Sequence, residues 1–186
     1  MLISILAVLA ASAAAGIRIA LPLLMIGLLR QGHWWSEVPL MAHIHPRVLL
    51  AILISWSLFE LFGSKHLIGQ RILQIVDLVL SPVVGACLAI AIAKFTSVED
   101  MALWLLGLIG GLVAFLLKLV TVGWFFRLQR LPYWAVIAQD FLCLILIILA
   151  FEAPQQGGLL AMLLLWLALR SANAWKERAV NYQKPN

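Results

Sequence analysis

Long apolar stretches separated by short polar turns make up nearly all of this chain. A helix needs about 20 mostly apolar residues to cross a hydrocarbon core. Six stretches approach or exceed that requirement: 2–29, 48–62, 72–93, 101–126, 134–151 and 159–175. The short second stretch must borrow flanking residues. Turn-forming residues stand between the stretches, at Gln31-Gly32, His45-Pro46, Gly63-Ser64, Ser97 to Asp100, Leu131-Pro132 and Pro154 to Gly158. The connections leave no room for a soluble domain. The pattern therefore predicts an all-α polytopic membrane protein with six transmembrane helices, forming one domain over 1–186. Its first three-helix half spans 1–97, and its second half, with a basic C-terminal tail, spans 98–186. The opening run ends in Ser12-Ala-Ala-Ala, like a signal-peptidase site, but no Lys or Arg precedes it and the apolar pattern continues to Leu29. A first transmembrane helix is the reading this supports.

Composition agrees with the pattern. Of 186 residues, 65% are apolar, with 13 Lys and Arg and 8 Asp and Glu, where a soluble chain carries about a quarter charged residues. Mean hydropathy is +1.07. Too little polar side chain is present to cover a water-soluble globule, which also excludes disorder, a nucleic-acid-binding domain and a disulfide-stapled module. Cys87 and Cys143 lie inside apolar runs and read as small core residues.

The net charge of +5 follows from loop lysines and arginines held on the cytoplasmic side. With six spans, Lys65, Arg71, Arg127, Arg130, Arg170, Lys176, Arg178 and Lys184 share one side, and only Arg30, Arg47 and Lys94 the other. Both termini are then expected in the cytoplasm. The basic stretch from Arg170 to Lys184 is expected to lie against anionic lipid, with no nucleic-acid partner.

The first and fourth stretches echo each other at an offset of 100 residues. Ala7, Ala11, Ala14 and Arg18 share one helix face, and Gly107, Gly111, Ala114 and Lys118 repeat the spacing. Small residues at this spacing let helices approach closely in lipid. A duplication of three spans would make two inverted repeats, an architecture of secondary transporters. A third stripe, Asp77, Ser81, Gly85 and Ala89, runs at i+4 spacing and offers a docking face to a helix from the other half.

Five ionisable residues fall within or at the end of spans: Arg18, Glu60, Asp77, Lys118 and Asp140. Each costs about 2.5–3.5 kcal/mol at a helix centre on insertion scales, so each must face the bundle and find a partner. The simplest arrangement is one interior cluster of two cations and three carboxylates. Its surplus negative charge would favour a bound proton or cation. The functional reading is an ion or solute path through these residues. The structural reading is a set of ion pairs that fixes helix register.

The first outer loop carries His33, Glu37, His43 and His45, residue types that bind zinc or copper. Polar residues are expected in such a loop anyway, so neither a metal nor a cofactor is expected. No phosphate loop, nucleophile elbow, zinc-protease motif or haem-type histidine pair occurs, and the expectation is a protein that is not an enzyme.

The segment Ala-Ala-Ala-Gly16-Ile17-Arg18-Ile19-Ala-Leu-Pro22, then Leu58-Phe59-Glu60 and Lys65, then Asp77 with Ser81-Pro82 and Gly85, resembles the small bacterial membrane proteins called domain of unknown function 4126. The resemblance covers nearly the whole chain. It departs at Gly63-Ser64-Lys65, where the family usually has Ala-Asp-Lys, and at Gln139-Asp140, which keeps only part of an acidic run. It implies a polytopic protein of a bacterial inner or internal membrane, with Arg18, Glu60 and Asp77 as family positions and no established activity. Two functions remain open. The first is a small ion or solute permease or channel, with a homo-oligomer needed for any wide pore. The second is a non-transporting scaffold or assembly factor whose charges only lock helices together.

Overall fold

The computed structural model describes residues 2–29, 45–63, 67–96, 100–128 and 133–182, with side chains described over most of 2–26, 45–59, 73–96, 103–124 and 134–171. The described chain is all helical: α1 (Leu2–Ile17), α2 (Ala20–Leu29), α3 (Pro46–Gly63), α4 (Leu67–Phe95), α5 (Asp100–Leu128), α6 (Tyr133–Glu152) and α7 (Pro154–Tyr182). Three described segments are long and apolar enough to cross a membrane, Leu73–Phe95, Leu103–Trp124 and Trp134–Glu152.

The first apolar stretch is not one helix. Arg18 N–H donates to the Ala14 carbonyl at 3.0 Å, and then the chain leaves helical geometry at Arg18 and Ile19. Pro22 supplies the cause. It lacks the N–H that would bond to the carbonyl four residues earlier, which is that of Arg18, and its ring crowds the same oxygen. Three residues into α2, the missing donor costs that new helix nothing. Pro154 acts similarly, opening α7 at its first position after Ala153. The expected turn over Pro154 to Gly158 is thus reduced to Ala153, and Gly157 and Gly158 lie within α7. There they back onto Ala10 and Leu6 of α1.

α1 is the central helix and touches α4, α5, α6 and α7. Ala10, Ala11, Ala13, Ala14 and Ala15 are completely buried, because a methyl side chain lets neighbours close in from every side. The sequence stripes meet as close-packed surfaces. On α4 and α5, Gly85 faces Ala114 and Gly110, Gly110 also faces Ala89, and Gly111 faces the Pro82 carbonyl. Ala7 is 3% exposed, and Gly107 packs on Ile90.

Helix directions follow from these contacts. Ser12 lies at Gly110 and Gly16 at Ala114, and the Ile17 carbonyl meets Lys118. Numbers rise together on α1 and α5, so the two helices run parallel. Halves related by inversion would set them antiparallel, so the echo at offset 100 relates parallel packing partners and not inverted ones. α7 also runs with α1, from Leu6 beside Gly158 to Ile17 and Ala168 on one shared cleft. α4 runs against α5, and Phe95 and Phe151 meet edge-on where α4 and α6 end. The start of α1 and the end of α7 consequently lie at opposite ends of the bundle, which corrects the expectation that the termini share one side.

Large apolar side chains cover the outside. Trp104 is 81% exposed and Leu105 65%, with Leu108 and Leu112 continuing the same outer face of α5. An apolar exterior of this extent suits hydrocarbon and not water. Close packing inside makes a direct prediction. A Cβ at Gly110 would stand 2.5 Å from Ser12 Oγ and collide with Ala89. Gly110→Val is therefore expected to lower thermal stability by about 1–3 kcal/mol, whereas Leu108→Val on the outer face leaves it nearly unchanged. Thermal unfolding of the detergent-solubilised protein checks both.

Candidate functional site

The break in α1–α2 exposes backbone carbonyls that a continuous helix would satisfy, and charged side chains gather around it. Lys118 Nζ on α5 donates to Asp77 Oδ2 on α4 at 2.6 Å, with only 2% and 4% of the two side chains exposed. The same ammonium donates a longer bond of 3.4 Å to the Ile17 carbonyl. Ile17 is the last residue of α1, whose C-terminal end carries partial negative charge, so a cation there is stabilised. Arg18, the next residue, donates from Nε to Asp140 Oδ1 on α6 at 2.7 Å, with 12% and 22% of the side chains exposed.

Among the described residues the expected charge cluster holds two adjacent ion pairs, Lys118–Asp77 and Arg18–Asp140, joined through the Ile17–Arg18 peptide. Asp77 and Asp140 face different cations and do not form a carboxylate dyad. Glu60 lies in α3, and its side chain falls outside the described residues. Ser81, Gly85 and Ala89 continue the α4 face that carries Asp77, and this face meets α5.

Polar oxygens line the same interior. Asp77 Oδ1, Ser81 Oγ, Gln74 Oε1 and Ser12 Oγ are buried without a hydrogen-bond partner among the described residues. Gln74, Asp77 and Ser81 are spaced i, i+3 and i+7, on one face of α4. Ser12 and Gln74 escaped the sequence reading. Gln74 had a signal, its place one turn before Asp77. The Ile17 carbonyl had only the indirect signal of Pro22.

A cleft of about 190 Å³ opens between α1, α5, α6 and α7. Its wall includes Leu117, Ile17 and Gln139, the immediate chain neighbours of Lys118, Arg18 and Asp140, together with Thr121 and Ser171. Trp124 Nε1 donates to Ser171 Oγ at 3.0 Å and ties α5 to α7 beside it. A wider concavity of about 670 Å³ runs along α3 from Arg47 to Phe59, and none of the four paired residues lines it.

His33 and His43 lie outside the described residues. His45 is exposed and its Nδ1 accepts from the Arg47 N–H at 3.4 Å at the start of α3. Among the described residues no group of three His, Cys, Asp or Glu forms a metal-binding set. Cys87 and Cys143 are buried thiols, and Cys143 Sγ donates to the Ala14 carbonyl. Along α7, Arg170 stacks over the Trp166 ring at 5.2 Å.

A buried ion pair makes an asymmetric prediction. Lys118→Met alone leaves the Asp77 carboxylate unpaired in an apolar interior and is expected to cost about 3–5 kcal/mol. Adding Asp77→Leu to Lys118→Met removes the stranded charge and is expected to recover most of that loss. Thermal unfolding of both variants in one detergent measures the difference.

Neither a curated protein nor a solved structure matches the chain. The family model described as a domain of unknown function, DUF4126, matches residues 5–174. The break and both ion pairs fall within that match, and the chain belongs to the DUF4126 family.

Proposed function

We propose that this protein is a small membrane permease or channel whose ion or solute path passes the α1–α2 break. The carrying observation is the break itself, with Lys118–Asp77 and Arg18–Asp140 gathered at it. Broken helices whose ends point at charged groups are how transporters hold ions inside lipid. The cleft bordered by Ile17, Leu117 and Gln139 supplies an approach from outside the bundle. In this reading Arg18 and Asp140, the more exposed pair, form the outer station, and Lys118 and Asp77 the inner one. Glu60 extends the acidic side of the path. The protein performs no covalent chemistry.

A bacterial inner or internal membrane is the proposed location. α4 begins, and α5 and α7 end, at one end of the bundle. Arg71, Arg127, Arg170, Lys176 and Arg178 belong to those helices toward that end, a basic bias that supports reading it as the cytoplasmic one. The C-terminal tail then meets anionic lipid, and Leu2 lies on the opposite side. Cysteine labelling checks the orientation. Glu152→Cys, at the end of α6, is expected to react with an impermeant maleimide added outside intact cells, and Lys176→Cys only after permeabilisation.

The scaffold reading is favoured by one observation, that both intramembrane cations are directly paired. Flux separates the two. Purified protein in liposomes is expected to pass protons, monovalent cations or small anions. Arg18→Ala and Asp77→Asn are expected to cut that flux at least about tenfold, the loss of roughly 1.4 kcal/mol of stabilisation along the path. Zero flux for wild type across all three solute classes would establish the scaffold in its place.

A further inference from the structure

The concavity on α3 has one charged end. Arg47, Ala51, Ser55 and Phe59 stand four residues apart and so line one strip of the helix, with Ile52 and Trp56 beside them. Ala51 and Ser55 are too small to fill the middle of that strip, which leaves a hollow of about 670 Å³. Trp56 and Phe59 close its far end, with ring centroids 6.2 Å apart. Arg47 stands exposed at the near end, and neither described ion pair uses it.

Length and charge together select an occupant. At 1.5 Å per residue, Arg47 and Phe59 are about 18 Å apart along the helix axis. One leaflet, half of a roughly 30 Å hydrocarbon core, has nearly the same depth. A single acyl chain therefore spans the hollow when its headgroup is level with Arg47. We propose that this face of α3 is a binding site for an anionic phospholipid, with the phosphate held by the Arg47 guanidinium and one acyl chain laid over Ala51 and Ser55 toward Trp56. Arginine suits phosphate because its planar fork offers two parallel N–H donors. The site is separate from the α1–α2 break and does not depend on the permease reading.

A second copy of this chain is the competing occupant, and charge disfavours it. Copies inserted in the same sense and packed through this face would be related by a two-fold axis along the membrane normal, which sets Arg47 against Arg47. Among the described residues, no Asp or Glu lines the concavity to offset that repulsion. The acyl chain itself gains little, since it leaves hydrocarbon for an equally apolar surface. Selectivity therefore rests on the headgroup, and the site distinguishes anionic from zwitterionic lipids of equal chain length.

The test is native mass spectrometry of the purified full chain in detergent, with phosphatidylglycerol or phosphatidylcholine of identical chains added. One bound phosphatidylglycerol is expected to hold at least about fivefold tighter than phosphatidylcholine, equivalent to roughly 1 kcal/mol for one basic side chain. Arg47→Gln is expected to remove that advantage. Ser55→Trp keeps the guanidinium and fills the hollow from an exposed position, and is expected to weaken the same lipid at least about fivefold. Lipid held by the basic C-terminal tail ignores both substitutions, so undiminished binding in both variants overturns the site. Equal binding of the two lipids by wild type also overturns it, leaving ordinary contact with the surrounding bilayer. Inorganic phosphate that displaces the lipid at an equal concentration removes the role of the acyl chain and overturns the proposal. A wild-type dimer mass that Ser55→Trp converts to monomer overturns it in favour of a second copy.

Discussion

Lys118 lies buried in the middle of an apolar bundle with Asp77 2.6 Å away and the end of α1 facing it. That interaction constrains much of the rest. It joins α4 to α5, and through the Ile17 carbonyl it joins both to α1. For the ammonium and the carboxylate to meet, the helix axes must come close. Only residues the size of Gly85, Gly110, Gly111 and Ala114 allow that approach. Small residues and ion pair are thus two sides of one requirement: in lipid, helices gain little from burying apolar surface, so close packing and polar contacts must hold them together.

Pro22 is the second determinant. By withdrawing a donor from the Arg18 carbonyl it ends α1 inside the protein, and that ending makes the neighbourhood of Ile17 and Arg18 polar. A continuous helix there would present only side chains. The broken one presents a carbonyl toward Lys118 and frees Arg18 to reach Asp140. The structural defect and the charges gathered at it form one unit.

Much of this was legible in the sequence, for local reasons. Apolar runs, Pro and Gly positions and the unusual Arg18, Asp77, Lys118 and Asp140 are properties of short windows of chain. The stripes of small residues were equally readable, since i+4 spacing places them on one face before any fold is known. Sequence counts charges without assigning distances, so the pairing of Lys118 with Asp77 and of Arg18 with Asp140 was not legible in it. Ser12 was overlooked because a serine among alanines in an apolar run has no distinctive pattern. Its significance comes from Gly110 standing opposite.

The inverted relation inferred from the echo shows where such reading stops. Ala7, Ala11, Ala14 and Arg18 match Gly107, Gly111, Ala114 and Lys118 whether the two helices run parallel or antiparallel, because a face of small residues packs in either sense. The contacts of Ser12, Gly16 and Ile17 decided for parallel. By itself the sequence determined the solvent this protein is built for, its helical class, and which ionisable groups are too costly to leave without partners. Tertiary structure alone decided which cation meets which carboxylate and which oxygens are left over. Hydrophobic pattern acts along a chain a few residues at a time, whereas partner choice depends on the direction and register of helices about 100 residues apart in sequence.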